Sequence, residues 1–259
     1  MLSKFTELYN YRMMIGGLVH RELRGRYKGS FLGFLWTFIN PLLQLGVYTL
    51  LFSVIMKNDI PKYYIFLFVC LVPWMFFSSC LSAGCGTILA SSAMVTKIYF
   101  PREVLPISFV TSAFINMLYS FIVVFAVLIF SGFGINPLAL LYLPVVFLLE
   151  YILSLGVTLM FSAMTVYVRD LQHILGILSM LMQFLSPVMY STSRVPVEMQ
   201  KLFNLNPMAS ILECYRSILY YKQIPDITTL GGAALLAVVV LVLGELIFNK
   251  LQKGFAEEL

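Results

Sequence analysis

The 259-residue sequence predicts an all-α membrane protein whose helices cross a lipid bilayer six times, and three observations carry that prediction. Hydrophobic residues make up 60% of the chain and charged ones 11%, with a mean hydropathy of +0.91. A soluble domain carries about 25% charged residues, and so few charges cannot clothe a globule of this size in water. The apolar residues also gather into six stretches near the roughly 20 residues that a ~30 Å hydrocarbon core requires of a helix. Apart from Glu150 and Glu245, the charged residues fall between those stretches, as lipid demands. The whole of 1–259 therefore reads as a single transmembrane domain without a separate soluble unit.

Residues 1–30 come first and are not expected to be a cleavable signal, because charges interrupt their apolar residues. Leu2, Phe5, Leu8, Tyr9, Ile15, Leu18, Val19 and Leu23 recur at helical spacing, so an amphipathic helix lying in the membrane interface is predicted over 2–24. Gly16-Gly17 marks an expected bend. Spans are predicted over 31–56, 63–90, 106–130, 138–165, 173–191 and 230–249, with Pro41, Pro73 and Pro187 inside or near the end of three of them. Four spans exceed a perpendicular crossing, which implies tilt or extension beyond the lipid. Between the fifth and sixth spans lies Pro207 to Tyr221, too short to cross and carrying Glu213 and Arg216. Asn206-Pro207 is a helix start with proline at the first turn, and Glu213 and Arg216 can pair at i,i+3. One or two short re-entrant or interfacial helices are expected there.

Orientation follows from the cations. With the N-terminus inside, eleven of the seventeen Lys and Arg residues face the cytoplasm, six of them before residue 31. Both termini are therefore expected to be cytoplasmic. The net charge of +5 is explained by this bias rather than by nucleic acid, which is not an expected partner.

Most chemistries are excluded. No phosphate-binding G-x-x-x-x-G-K-[ST] loop occurs, so ATP is not hydrolysed by this chain alone. Cys70, Cys80, Cys85 and Cys214 have no metal or redox spacing, no H-E-x-x-H is present, and no metal or catalytic site is expected. His20 and His173 both fall beside the inner surface. Glu150 and Glu245 are the ionisable residues within spans. Either Glu150 acts directly or it is a polar contact between helices, while Glu245 sits close enough to the surface to reach water. Aromatic residues reach 15%, and Tyr48, Phe52, Trp74, Phe76, Phe77, Tyr119, Phe184 and Tyr190 are candidates for a substrate conduit. Aromatic faces pack against the C–H faces of sugars, although lipid-facing phenylalanine is equally ordinary.

An ordered set of short motifs then becomes recognisable. It opens with Arg21-Glu22-Leu23-Arg24, Arg26-Tyr27-Lys28, Ser30, Leu32-Gly33, Leu35-Trp36 and Pro41. It continues with Pro73-Trp74, Phe76-Phe77-Ser78, Lys97, Phe100-Pro101-Arg102-Glu103 and Leu105-Pro106. Arg169-Asp170-Leu171, Ser186-Pro187, Tyr190 and Asn206-Pro207 complete it. No one piece is specific, but the ordered set resembles the membrane subunits of ABC-2 transporters that export O-antigen, capsule and teichoic acid. The resemblance implies a permease half in the bacterial cytoplasmic (inner) membrane. Two copies would form the pore for a lipid-linked polysaccharide, driven by a separate cytoplasmic ABC ATPase dimer that holds the ATP and Mg. No cofactor is expected on this chain.

The same resemblance places a coupling helix at roughly 91–104 and exit-lining helices at 195–221. Lys97, Tyr99, Pro101, Arg102, Glu103, Arg169 and Asp170 are the coupling candidates. Segment 91–104 is also the only substantial inner connection between spans, so a soluble partner has little else to grip. Arg102-Glu103 and Arg169-Asp170 have the alternative of pairing within the chain. The basic cluster Arg21, Arg24, Arg26 and Lys28 can set topology, meet anionic lipid headgroups or meet the diphosphate of the substrate. Competing readings are a permease for a small hydrophobic drug or lipid, a membrane-embedded transferase using lipid-linked donors, and a passive channel.

Overall fold

A computed structural model describes residues 2–26, 28–192, 195–196, 198 and 206–259. Every regular element among them is helical. Two N-terminal helices come first, α1 (Leu2–Asn10) and α2 (Arg12–Gly25). The expected bend at Gly16-Gly17 is absent. The chain breaks instead at Tyr11, because the Arg12 guanidinium donates to the Tyr9 carbonyl at 3.2 Å, and that carbonyl would otherwise continue the helical ladder.

Among the described residues, five stretches are long and apolar enough to cross a membrane: Gly33–Ile55, Tyr63–Ala90, Val104–Phe130, Pro137–Tyr167 and Ile227–Glu258. The first holds α3 (Trp36–Thr49) and continues as a π-helical turn, Leu50–Ile55. The second holds α4 (Tyr63–Ser82) and, after a tight turn, α5 (Thr87–Ala90). Gly84 sits in that turn because a β-carbon there would lie 2.9 Å from the Thr158 methyl. A short helix, α6 (Ser92–Lys97), leads to α7 (Val104–Phe130). The fourth stretch comprises α8 (Pro137–Leu140) and α9 (Leu143–Tyr167).

The predicted fifth span differs from its expected form. Its helix, α10 (Leu171–Leu185), has only 15 residues and stops before Ser186, whose backbone is extended. Pro187 follows and cannot supply the amide that would continue the ladder. The re-entrant candidate is α11 (Pro207–Leu219), capped by the Asn206 side chain, which accepts from the Met208 amide at 3.1 Å. Asn136-Pro137 starts α8 by the same device, with the Leu138 amide at 3.0 Å. Much of 193–205, where another exit helix was expected, lies outside the described residues. The chain ends with α12 (Ile227–Leu251), a 3₁₀ turn at Gln252–Gly254, and α13 (Phe255–Glu258).

The hydrophobic pattern sets the arrangement. Almost every side chain of α4 is apolar, which suits a helix buried on all sides. It lies at the centre, ringed by α3, α7, α9, α10 and α11. The closest pair is α9 with α12. A β-carbon on Gly244 would collide with the Gly156 carbonyl, and one on Gly156 would lie 2.6 Å from Leu241 Cα. Glycine on both sides lets the backbones touch, and dispersion between them replaces the hydrophobic drive that lipid removes.

Among the described residues, two hydrophobic cores result. The larger follows α4 and takes in α11. The smaller gathers Leu18 of α2, Val95 of α6, Phe100, Val104, Val166, Phe248 and Phe255. Both chain ends therefore meet at one end of the bundle, and α11 with the broken end of α10 lies away from it.

Candidate functional site

At the end that holds the termini, the coupling candidates separate into two groups. Thr96, Lys97, Ile98 and Tyr99 form an exposed knob between α6 and α7, with Tyr99 92% exposed. Phe100 turns inward, and Pro101, Arg102 and Glu103 are half-buried beneath the knob. Arg102 does not point outward: its guanidinium donates to the Gln252 carbonyl of the C-terminal segment and lies 5.6 Å from the centre of the Phe255 ring. The Gln252 amide reaches the Glu103 carboxylate at 3.4 Å and the Asn249 side chain at 2.9 Å. Arg169 and Asp170, in the short connection from α9 to α10, are exposed.

The basic residues Arg21, Arg24, Arg26 and Lys28 are all exposed on or just after α2. Arg26 stands at a cavity of about 430 Å³ between α3, α4 and α7, where Thr37 Oγ1 donates to Asn116 Oδ1 at 3.1 Å and the Ser120 hydroxyl donates to the Thr37 carbonyl at 3.1 Å. Trp36 forms part of its wall and donates from its indole N–H to Ser30 at 3.0 Å.

The conduit candidates also separate. Trp74, Phe76 and Phe77 are buried in the larger core, where Phe76 meets Phe114 edge-on at 5.7 Å. Tyr119 and Phe184 are exposed, and Tyr48, Phe52 and Tyr190 are half-buried. Tyr48 accepts from Gln183 of α10 at 3.1 Å, which holds α3 beside α10. Both helices present an apolar outer face, including Leu43 and Val47 on α3 and Ile177 and Leu181 on α10.

Away from the termini, charged chemistry is buried. Arg216 is fully buried and forms an ion pair with Glu213 at 3.2 Å, as the i,i+3 spacing anticipates. Its other partners lie outside α11. Nη2 donates to the Pro187 carbonyl at 2.5 Å and to the Val188 carbonyl at 3.3 Å, while the guanidinium covers the Phe66 ring at 4.0 Å. The Tyr63 hydroxyl donates to the Met189 carbonyl at 2.9 Å, the Val188 amide donates to the Ser186 carbonyl at 2.7 Å, and the Asn206 side-chain amide donates to the Ser186 hydroxyl at 2.9 Å. This explains how the chain after α10 leaves helical form without stranding its carbonyls in an apolar core. The residue before Arg216 is spent differently: the Tyr215 hydroxyl donates to Glu150 Oε2 of α9 at 2.5 Å. The other Glu150 oxygen has no partner among the described residues.

Sequence reasoning found the Arg216–Glu213 spacing but missed the arginine's grip on the break at Pro187. The sequence does hold a signal for it, namely a proline ending one apolar run and an arginine within a short helix of apolar neighbours. Nothing in the sequence pointed to the pairing of Arg102 with the C-terminal segment, because 150 residues separate the partners.

Residues 15–220 match the family described as ABC-2 type transporter. The O-antigen export system permease protein RfbA of Myxococcus xanthus is 38% identical over 264 residues, spanning 100% of each chain. The polysialic acid transport protein KpsM of Escherichia coli is 25% identical over 239 residues, 90% of this chain and 91% of that protein. The capsule polysaccharide export inner-membrane protein CtrC of Neisseria meningitidis serogroup B is 25% identical over 261 residues, 97% and 96% of the two chains.

Proposed function

This chain belongs to the ABC-2 type transporter family, and from that premise we propose that it is the permease subunit of a bacterial polysaccharide exporter. It is a multi-pass protein of the inner membrane, a transporter subunit rather than an enzyme. The full-length similarity to an O-antigen export permease is the single observation that carries this reading.

The finer parts of the proposal rest on supporting features. The excess of cations beside the termini favours a cytoplasmic placement for both chain ends. With the termini there, α10 is a short fifth crossing that brings the total to six, completed by the non-helical segment that Arg216 holds, and α11 dips in from the opposite surface without spanning. The amphipathic α2 lies along the inner surface, its Leu18 and Val19 buried and its Arg21 and Arg24 exposed towards lipid headgroups. The exposed knob Lys97-Ile98-Tyr99 is the contact for a cytoplasmic ATPase dimer that carries the ATP and Mg, with Arg169 and Asp170 at its side.

A second copy of this chain completes the passage. The apolar outer face shared by α3 and α10 suits that contact, and Tyr48, Phe52, Tyr119, Phe184 and Tyr190 are the conduit aromatics with surface to offer a sugar polymer. Trp74, Phe76 and Phe77 support the wall from behind. The cargo is a lipid-linked polysaccharide whose charged headgroup first meets Arg21, Arg24, Arg26 and Lys28.

The test is purification of the tagged chain from its own membranes with identification of what accompanies it. An ABC ATPase in near-equal amount, together with accumulation of lipid-linked polymer inside cells that lack this chain, is the expected result. A chain that purifies alone under conditions that preserve related complexes would overturn the reading.

A further inference from the structure

The C-terminal segment is held far more firmly than a mere chain end requires. Phe255 is fully buried, set edge-on to Phe248 at 5.7 Å and 6.4 Å from the Tyr167 ring. The Tyr167 hydroxyl donates to the Leu251 carbonyl at 2.7 Å, and a β-carbon on Gly254 would collide with that same hydroxyl. Arg102 binds the Gln252 carbonyl from the other side, and Gln252 reaches Glu103. These contacts fix the eight residues Gln252–Leu259, together with Leu251 before them, onto the base of the knob.

The knob needs that base. α6 has six residues, far below the length at which an isolated helix holds its shape in water. Val95 is its one buried residue, and Val95 shares its small core with Phe255. α13 packs directly against α6. The segment's own outer surface, with Lys253, Glu257 and Glu258 exposed, is left free.

We propose that Gln252–Leu259 is a positioning element for ATPase docking: clamped by Arg102 and Phe255, it sets the stance of the knob Lys97-Ile98-Tyr99 from beneath. The inference rests on the reading that the knob meets the ATPase. A partner that binds a preset knob does not have to order it on arrival, so the segment acts on affinity rather than on the power stroke. Arg102 and Glu103 therefore act through the segment and not as contacts of the partner.

The experiment titrates the purified ATPase onto the full-length permease in lipid nanodiscs, and reads half-saturating concentration and maximal ATP turnover separately. Stopping the chain after Leu251 is expected to raise the half-saturating concentration about tenfold, with maximal turnover recovered at saturation. Phe255→Ser, which keeps the chain length, gives the same reading where truncation lowers the amount of protein in the membrane. Tyr99→Ala removes the contact itself. In that background, loss of the segment adds less than about twofold, because two changes acting through one contact are not additive. Unchanged affinity without the segment overturns the inference. So does a full tenfold loss on top of Tyr99→Ala, which would make the segment an independent contact. Wild-type permease that binds no ATPase instead overturns the proposed function, and the two failures are distinct.

Discussion

The two ends of the bundle each place an arginine on backbone carbonyls where a helix gives out, yet they do so in opposite surroundings. Arg216 is fully buried, and it serves the carbonyls of Pro187 and Val188 while pairing with Glu213. Arg102 is half-buried and serves the Gln252 carbonyl in a segment whose neighbours include exposed Lys253. The same bond is worth different amounts in the two places. Where water is excluded, removing the donor leaves carbonyls with nothing else to bind, and the cost is the full desolvation penalty. Where water can enter, it substitutes. One arginine is therefore structural in a strict sense, and the other is a clamp that can be exchanged for a change in affinity.

Replacing Arg216 tests that difference most severely. Arg216→Met keeps the volume but strands two carbonyls and leaves Glu213 without its ion-pair partner, at an expected cost of about 3–5 kcal/mol. The measurement is thermal unfolding in detergent together with the amount of folded protein in membranes. Arg216→Lys should recover part of the loss, since an ammonium reaches one carbonyl but not the forked set. A Met variant as stable as the wild type would show that the segment after α10 does not depend on the arginine.

The neighbouring contact is expected to matter less. Tyr215→Phe removes the only described hydrogen bond to Glu150, whose second oxygen already has none. A loss of about 1–3 kcal/mol follows. Glu150→Gln keeps an acceptor for the tyrosine and should cost less than Tyr215→Phe while export of polymer continues. Abolished export in a Glu150→Gln protein of normal stability would instead assign the residue a direct role.

At the end with the termini, Arg102→Leu should cost about 1 kcal/mol or less in stability, because water reaches the freed Gln252 carbonyl. Its effect should appear in ATPase affinity. A stability loss as large as that of Arg216→Met would erase the distinction between the two ends.

What the sequence disclosed divides along the same line. Local signals survived folding: the apolar runs mark the long helices, Asn136-Pro137 and Asn206-Pro207 start helices, and the Glu213–Arg216 spacing gives an ion pair. Features set by partners distant in sequence did not. The fifth apolar run extends to 191, but the helix stops at Leu185 because Arg216, Tyr63 and Asn206 reward the chain for leaving it. Hydropathy records only that these residues are apolar. Likewise, the bend expected at Gly16-Gly17 moved to Tyr11 because Arg12 takes a carbonyl there, a competition that glycine counting does not see. The knob was legible as the main inner connection, whereas its clamp lay 150 residues downstream.

The smallest expected effect concerns Asp226, a helix cap open to solvent at the start of α12. Its Oδ2 accepts from the Thr228 hydroxyl and, at 3.4 Å, from the Thr229 amide. The Thr228 hydroxyl is the main reason that this carboxyl titrates below its ordinary value of 3.8, and it outweighs the opposing effect of desolvation. A carboxyl whose pKa is lowered in the folded state stabilises fully above its unfolded value, and that contribution is lost as pH falls through the lowered one. Amide protection in the first turn of α12 should therefore stay constant, relative to a buried turn such as that at Val69, from neutral pH down to about pH 4. Below that it should fall. Asp226→Asn retains a capping oxygen without a titrating proton, so its protection should not change across the same acid range. Loss of protection already near pH 6 in the wild type, or an unchanged acid response in Asp226→Asn, would show that something other than this carboxylate holds the turn.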